Sequence, residues 1–542
     1  VRLGQYFAGF AGNEAKHLHT LEDMQAEGAT ESEIRMAILG DGMRIDRHAV
    51  VKQNDIPDEL QIEMAAFAQE FGISQELTSG QGLYVPHFSQ ALVVSGTRTT
   101  TGHAVLLGEP RVPVNYPNIF YEWHMVGKTF EVRGVGVPGS PNVLIGSTPG
   151  FAWSPTALGL DQADLFRLET DTKKPDEYRL DGLWVPYVVD ELETILVKGG
   201  SPVSLAYRET VWGPVIGAPF IQDVRPGEVY SVKAVPLAIP KQDSIRGFLS
   251  MYRAETLDDF RTALGDWTYP SANIVFAGKE GDIGYAALGA VPIRKSDVFL
   301  AGLVAQEGNT VANDWQTYLP HSLRPMVLNP AAGALYTANH LPIGSWYPMH
   351  TLFPGLGAGP RARRLGELLS SRTLFTEEEI ALMHLDRVNP NTRDIVTIAD
   401  YIRDSMGYAF SPKAAAALEI LDSWHSLGAT MDATHGGVAL AHFVRGNLRR
   451  AVSGDIVDTW GAGNSGMTNF IEERLRGLGM TPPSEPTQSE ISAVDGLLSE
   501  AWRRMLAEKK SLSTASENEL RDWYIANKLS GENPRWTTLG QA

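Results

Sequence analysis

The chain has 542 residues, 43% hydrophobic and 20% charged, a balance that excludes a disordered polymer. Lys and Arg number 46 against 64 Asp and Glu, a net charge of −18, and such a surface repels phosphate backbones and anionic bilayers, so no nucleic-acid partner is expected. Cysteine is absent, which rules out disulfides, iron–sulfur clusters, thiolate zinc sites and cysteine nucleophiles.

Residues 1 to about 76 read as helical. Tyr6, Phe7, Phe10, His17, Leu18 and Leu21 recur at helical spacing. Leu60, Ile62, Met64, Phe67 and Phe71 form a second amphipathic run behind Ile56-Pro57-Asp58. The opening Val1-Arg-Leu-Gly falls inside a helical pattern, which predicts a processed or truncated start. No run of about 18 apolar residues occurs, so no membrane span is expected.

At Thr78-Ser-Gly-Gln-Gly82 the pattern changes to strands. Residues 91–95 and 103–107 are short β-rich runs, joined by a turn over 96–102 that predicts a hairpin. Further strands are predicted at 120–126, 142–145, 165–168, 203–207, 274–276 and 283–287. Helices return past about residue 360. Thr376-Glu-Glu-Glu is a capping-box start, and Ser411-Pro412 opens a helix that stops at Gly428. Trp502, Leu506, Leu520 and Trp523 mark further helices.

Two segments, Gly134–Gly139 and Gly461–Gly466, match G-x-G-x-x-G. Neither lies between a buried strand and a helix, so both read as glycine-rich turns rather than dinucleotide sites. His17 and His19 stand two apart on a helix and face different ways, which favours packing over metal ligation. No P-loop, H-E-x-x-H or G-x-S-x-G motif is found.

The chemistry-bearing stretch begins at Ser89, in Ser89-Gln-Ala-Leu-Val-Val-Ser-Gly-Thr-Arg-Thr-Thr-Thr-Gly102. A serine heads a strand there, just behind a glycine-containing segment. It resembles the β-subunit start of the penicillin acylase family of N-terminal-nucleophile (Ntn) hydrolases, which includes acyl-homoserine-lactone acylases. Colinear motifs strengthen the resemblance: Leu106-Leu-Gly-Glu-Pro110, Val137-Pro-Gly-Ser-Pro, Phe151-Ala-Trp-Ser-Pro-Thr156, Asp161-Gln-Ala-Asp164-Leu-Phe, Arg208-Glu-Thr-Val-Trp-Gly213-Pro-Val, Asp282-Ile-Gly-Tyr285, Thr337-Ala-Asn339 and Arg361-Ala-Arg-Arg364. It is best over about residues 89–370.

The resemblance implies an α+β fold, the αββα sandwich of two antiparallel sheets between helical layers, with additional helical segments. It implies an α-subunit-like helical segment over 1–88, with a spacer remnant at about 78–88. The β-subunit-like part over 89–542 carries the Ntn core and is helical from about 360. Autocatalytic cleavage before Ser89 would leave an α/β heterodimer from one precursor, periplasmic or secreted. The chemistry is consistent with the residue types. A serine hydroxyl needs a nearby base, and a freed α-amine, with a pKa of about 7.7–8.0, supplies one within the same residue.

By the same resemblance, Ser89 is nucleophile and base, the Asn339 side-chain amide and the Ala157 backbone N–H form the oxyanion hole, and Arg361 supports the site. Arg111 stands where the family shows His or Gln, and a fixed positive charge there would depress the Ser89 amine or recruit an acidic substrate group. Gln90 replaces an Asn, Leu92 a Trp, and Phe88 a small residue. The acyl pocket would be lined by Val112, Ile145, Pro155 and Ala272, favouring an apolar acyl chain. Catalysis needs no cofactor. Asp161, Asp164 and the Ala163 carbonyl would hold a structural calcium. The expected reaction is hydrolysis of the amide of an N-acylated small molecule through an acyl-serine. An acyl-homoserine-lactone acylase and a non-catalytic Ntn-fold binding or scaffold protein stay open as alternatives.

Overall fold

The computed structural model describes residues 14–31, 34, 49–73 and 89–508 apart from breaks, the longest of them 353–359 and 445–487. These fall into two compact units. The first is built from 1–39, 49–98 and 102–356, and the second from 40–48, 99–101 and 357–542.

In the first unit, helices α1 (Glu14–Ala26) and α2 (Asp58–Glu70) precede the strands. Strand β1 (Gln90–Val94) and β2 (Val105–Glu109) form the predicted hairpin, with Leu92 opposite Leu107. There follow β3 (Tyr121–Val126), β4 (Glu131–Gly136), β5 (Ile145–Ser147), β6 (Phe151–Ala157), β7 (Ala163–Leu168) and β8 (Val229–Ala234). Helices α3 (Ser244–Arg253) and α4 (Leu257–Gly265) lead to β9 (Ala272–Gly278), β10 (Ile283–Leu288), β11 (Met326–Leu328) and β12 (Ala334–Thr337).

A seven-stranded antiparallel sheet runs β11-β10-β9-β6-β5-β4-β3, and a three-stranded sheet runs β2-β1-β12. Every residue of β1, β9 and β10 is buried, as continuous apolar runs require when both faces are covered. One face of the large sheet offers Trp153, Ile274, Phe276 and Leu288 to Phe248, Tyr252, Phe260 and Trp267 from α3, α4 and the segment after them. Val275, Tyr285 and Ala287, on the other face, join Ala91, Val93 and Leu335 of the small sheet, with Met64 and Ala68 of α2. Helices, sheet and sheet are thus layered, as the resemblance implied. A third sheet of six strands contains β7 and β8 and packs Ala15 and Leu18 of α1 against Leu165 and Tyr230.

The sheets approach closely at Gly108 of β2. A Cβ there would lie 2.2 Å from the Ser154 Oγ of β6, so only glycine fits without a shift. The predicted strand over 142–145 starts instead at Ile145, because side chains take the Val143 backbone: its N–H donates to the Tyr252 hydroxyl at 2.7 Å and its carbonyl accepts from Trp153 Nε1 at 3.2 Å. Gly134–Gly139 closes an antiparallel strand and its turn, and Gly461–Gly466 lies outside the described residues. No described helix is long and apolar enough to cross a membrane.

The second unit is helical: α5 (Pro360–Ser370), α6 (Glu377–Leu382), α7 (Pro390–Asp404), α8 (Pro412–Ser426) and α9 (Gln488–Glu508). The Thr376–Glu379 capping box is formed in both directions, at 3.1 and 2.9 Å. Ser411 precedes Pro412 as predicted, but its hydroxyl donates to Asp495 at 2.6 Å instead of capping α8. Gly428 lies past the end of α8 at φ +97°, the left-handed stop its sequence position suggested.

Candidate active site

Ser89 stands half-buried at the head of β1, which is paired on both sides. Ala91 lies opposite Thr337, the last residue of β12, so Ser89 heads β1 at the end where β12 leaves the sheet toward Asn339. On the other side, Gln90 faces Glu109, which sets Ser89 beside Pro110. Residues 74–88, and with them Phe88 and the spacer remnant, lie outside the described residues.

Asn339 leaves β12 at φ +65°, a left-handed conformation that asparagine tolerates better than most residues. The His340 Nδ1 accepts the Ala338 N–H at 3.2 Å and pins that bend. Asn339 is 2% exposed, and its Nδ2 donates to the Ala157 carbonyl at 3.0 Å. Ala157 ends β6 opposite Ala272. The two residues expected to form the oxyanion hole are therefore in direct hydrogen-bond contact, beyond the strand that Ser89 heads.

A buried polar network lies around this contact. Asn273 of β9, wholly buried, donates through Nδ2 to the same Ala157 carbonyl at 3.1 Å and to Thr156 Oγ1 at 3.2 Å. Thr156 also shares a hydroxyl bond of 2.9 Å with Thr337 of β12. The Tyr285 hydroxyl donates to Asn273 Oδ1 at 2.6 Å. In the sequence Tyr285 stands out only as part of a motif, and Asn273 carries no signal of its own.

Arg111 is not the lone charge expected of it. Its Nε and Nη2 grip Glu109 at 2.8 and 3.0 Å, and Gln90 Nε2 donates to the same carboxylate at 2.8 Å. The pair is largely buried, and the side-chain charges cancel locally. Arg361 is the second residue of α5, in the other compact unit.

The expected pocket residues divide. Strand alternation puts Pro155 on the face of β6 that carries Trp153, and Ala272 packs in the same helix-facing cluster. Ile145 sits on the opposite face, where its Cγ2 lies 3.6 Å from the position of a Cβ on Gly108. Val112 lies outside the described residues.

Asp161 and Asp164 are joined by a residue that sequence analysis missed. Glu14, the first residue of α1, comes from far upstream in the chain, and its Oε2 accepts the Leu165 N–H at 2.6 Å. Oxygens of Glu14, Asp161 and Asp164 lie within 4.8 Å of one another. Arg294 pairs with both aspartates, at 2.9 and 2.8 Å, and the Trp315 indole also donates to Asp164. One guanidinium faces three carboxylates. Glu14 Oε1 and Asp161 Oδ1 are buried with no hydrogen-bond partner among the described residues. Burial, and then the charge of Asp164, pushes Glu14 well above the usual carboxylate range. Burial pushes Asp161 up to about 7 against the pull of Arg294. Both oxygens suit a hard cation. His17 and His19 are engaged elsewhere: His17 Nδ1 bonds the Leu303 carbonyl at 2.8 Å, and His19 lies between Glu228 and Asp223.

A helix-backed antiparallel sheet facing a smaller sheet headed by a serine defines the fold as that of the Ntn hydrolases. The penicillin amidase family model matches residues 7–536, and the chain belongs to that family. A penicillin acylase 2 proenzyme of Pseudomonas sp. (strain SE83) is 25% identical over 461 residues, covering 82% of this chain and 56% of the relative. An acyl-homoserine lactone acylase, QuiP, of Pseudomonas aeruginosa is 25% identical over 312 residues, 55% of this chain and 35% of the relative. This chain thus spans about a third to just over half of these relatives. The solved thermostable penicillin G acylase of Alcaligenes faecalis superposes with a TM-score of 0.63 at 20% identity, over 78% of this chain and 79% of that one.

Proposed function

We propose that the protein is an amidohydrolase that cleaves the amide of an N-acylated small molecule through an acyl-Ser89 intermediate. The observation that supports this reading is the Asn339 amide, just past the strand paired with the one Ser89 heads, bonded to the Ala157 carbonyl at 3.0 Å. The Asn339 Nδ2 bears two hydrogens. The bond to Ala157 fixes the plane in which the second lies, so the amide is oriented before substrate arrives, as an oxyanion donor must be.

In this reading the Ser89 hydroxyl first attacks the Phe88 carbonyl. The resulting ester is hydrolysed, and the chain becomes an α/β heterodimer with Ser89 at a new terminus. The freed amine then takes the hydroxyl proton as Oγ attacks the substrate acyl carbon. The Asn339 amide and Ala157 N–H receive the negative charge, the leaving amine takes a proton and departs, and water releases the acid. Ile145, on the face toward the small sheet, would offer an apolar wall to the acyl group, whereas Pro155 and Ala272 lie on the helix-facing side of the large sheet and cannot share that wall. The family likeness favours export to the periplasm or medium.

Glu14, Asp161 and Asp164 would hold a structural calcium: three carboxylates meet one guanidinium, and Glu14 Oε1 and Asp161 Oδ1 are buried without a hydrogen-bond partner among the described residues. Such an ion would tie α1 to β7 and would take no part in the bond-breaking steps.

Intact-mass analysis with N-terminal sequencing, combined with assays on phenylacetyl, aliphatic-acyl and glutaryl amides and acyl-homoserine lactones, tests the reading. We expect a fragment beginning at Ser89 and hydrolysis of apolar acyl amides. Preference for glutaryl would overturn the pocket assignment. An uncut, inert chain would favour a non-catalytic scaffold.

A further inference from the structure

The Ala157 carbonyl receives two side-chain donors from two different strands. Asn339 approaches from the end of β12 at 3.0 Å and Asn273 from β9 at 3.1 Å. A carbonyl has two lone pairs, so both are engaged and its direction is fixed. Asn273 also reaches the Thr156 hydroxyl, its cross-strand partner, at 3.2 Å. One amide group therefore brackets Ala157, the residue whose N–H is assigned to the oxyanion.

An asparagine amide can present either end. The Tyr285 hydroxyl, at 2.6 Å from Asn273 Oδ1, settles which end faces Ala157. Burial pushes that hydroxyl well above the usual tyrosine range, so it remains a donor at any working pH. Asn273 is wholly buried, with no solvent to substitute for either bond.

We propose that Tyr285 and Asn273 are a positioning pair: Tyr285 orients the Asn273 amide, and Asn273 fixes Ala157 and, through their shared carbonyl, the Asn339 donor. Neither touches substrate. The inference rests on the acylase reading and adds two residues to its machinery.

The test is a double-mutant cycle on the matured enzyme with Tyr285→Phe and Asn273→Ala. We expect kcat to fall about 10-fold in the first and about 100-fold in the second, with KM within about twofold, because the interactions act on the transition-state charge. Tyr285 acts through Asn273, so the double variant should lose no more than Asn273→Ala alone. Single variants retaining kcat within twofold, or losses that multiply in the double variant, would overturn the pair. A second readout is independent of turnover and of how well Asn273→Ala folds: side-chain amide hydrogen exchange of Asn339 and Asn273 in asparagine-labelled protein. It should be slow in the native chain and faster in the nearly isosteric Tyr285→Phe. Unchanged exchange would overturn the pair even if the native chain proves uncut and inert, a result that by itself would defeat only the acylase reading.

Discussion

At the scale of single residues, an oxyanion donor matters only if it is already aimed when charge develops. In the proposed mechanism Asn339 is that donor, and its left-handed backbone and its bond to Ala157 hold its amide in place. Asn339→Ala should lower kcat by about 10²–10³ with little change in KM, read from steady-state kinetics on the matured enzyme. The Glu109–Arg111 pair makes a different prediction. With Glu109 in place, Arg111 adds little net field at the head of β1. Glu109→Gln would leave its charge uncompensated. A nearby positive charge disfavours an ammonium, so the Ser89 amine would lose its proton more readily. The acid limb of kcat/KM should then move to lower pH by about one unit; an unmoved or upward-shifted limb would contradict the assignment. Ser89, Ala157 and Asn339 were singled out in the sequence because each sits in or beside a short motif, and the structure puts each at a strand end, with Asn339 bonded to Ala157. The Glu109 partnership was not, because β2 ends at Glu109 and the sequence does not show whether the extended geometry that puts residues two apart on one side continues to Arg111.

At the scale of elements, strands with a clear β-rich run were read whether buried or exposed: β3, largely exposed, was predicted at 120–126 and forms over Tyr121–Val126. The apolar run of β10 was read from the sequence close to its true limits, and β9 only at its centre, 274–276 of Ala272–Gly278. The strands Arg208–Thr210 and Gly213–Ile216 were not read as such, since Pro214 within the second argues against a ladder member. Nor was the sheet-to-sheet contact legible. Gly108 looks like an unremarkable strand glycine until β6 places Ser154 against it. This contact underlies the stacking of the small sheet on the large one. Gly108→Ala should destabilise the fold by about 1–3 kcal/mol, since the added methyl meets Ser154 across a closed interface. Adding Ser154→Gly should restore most of the loss, measured as denaturation midpoints of the two single variants and the double. A double variant no better than Gly108→Ala would mean that backbone strain within β2, rather than the approach of β6, sets the requirement.

At the scale of the whole chain, the acidic cluster joins segments remote in sequence, with Glu14 at the start of α1 and the aspartates ahead of and within β7. Glu14 was illegible because an acid at a helix start reads as an ordinary partner of the helix dipole. The cluster gives stability a pH dependence whose sign can be worked out. In the ion-free protein Asp161 holds its proton up to about 7, and Glu14 is likewise raised, whereas in the unfolded chain such groups ionise near about 4. Between those values the native state binds more protons, so ion-free stability falls as pH rises. A divalent cation replaces those protons, so its affinity rises through the same window. Chelation should therefore lower the thermal midpoint more at pH 8 than at pH 6. With the free ion at about 100 times its dissociation constant, the loss at the higher pH is about 2.7 kcal/mol. Glu14→Gln should weaken the calcium response and flatten the pH dependence together. Calcium that raises the midpoint equally at both pH values, or no less in Glu14→Gln, would show that the ion acts somewhere other than this cluster.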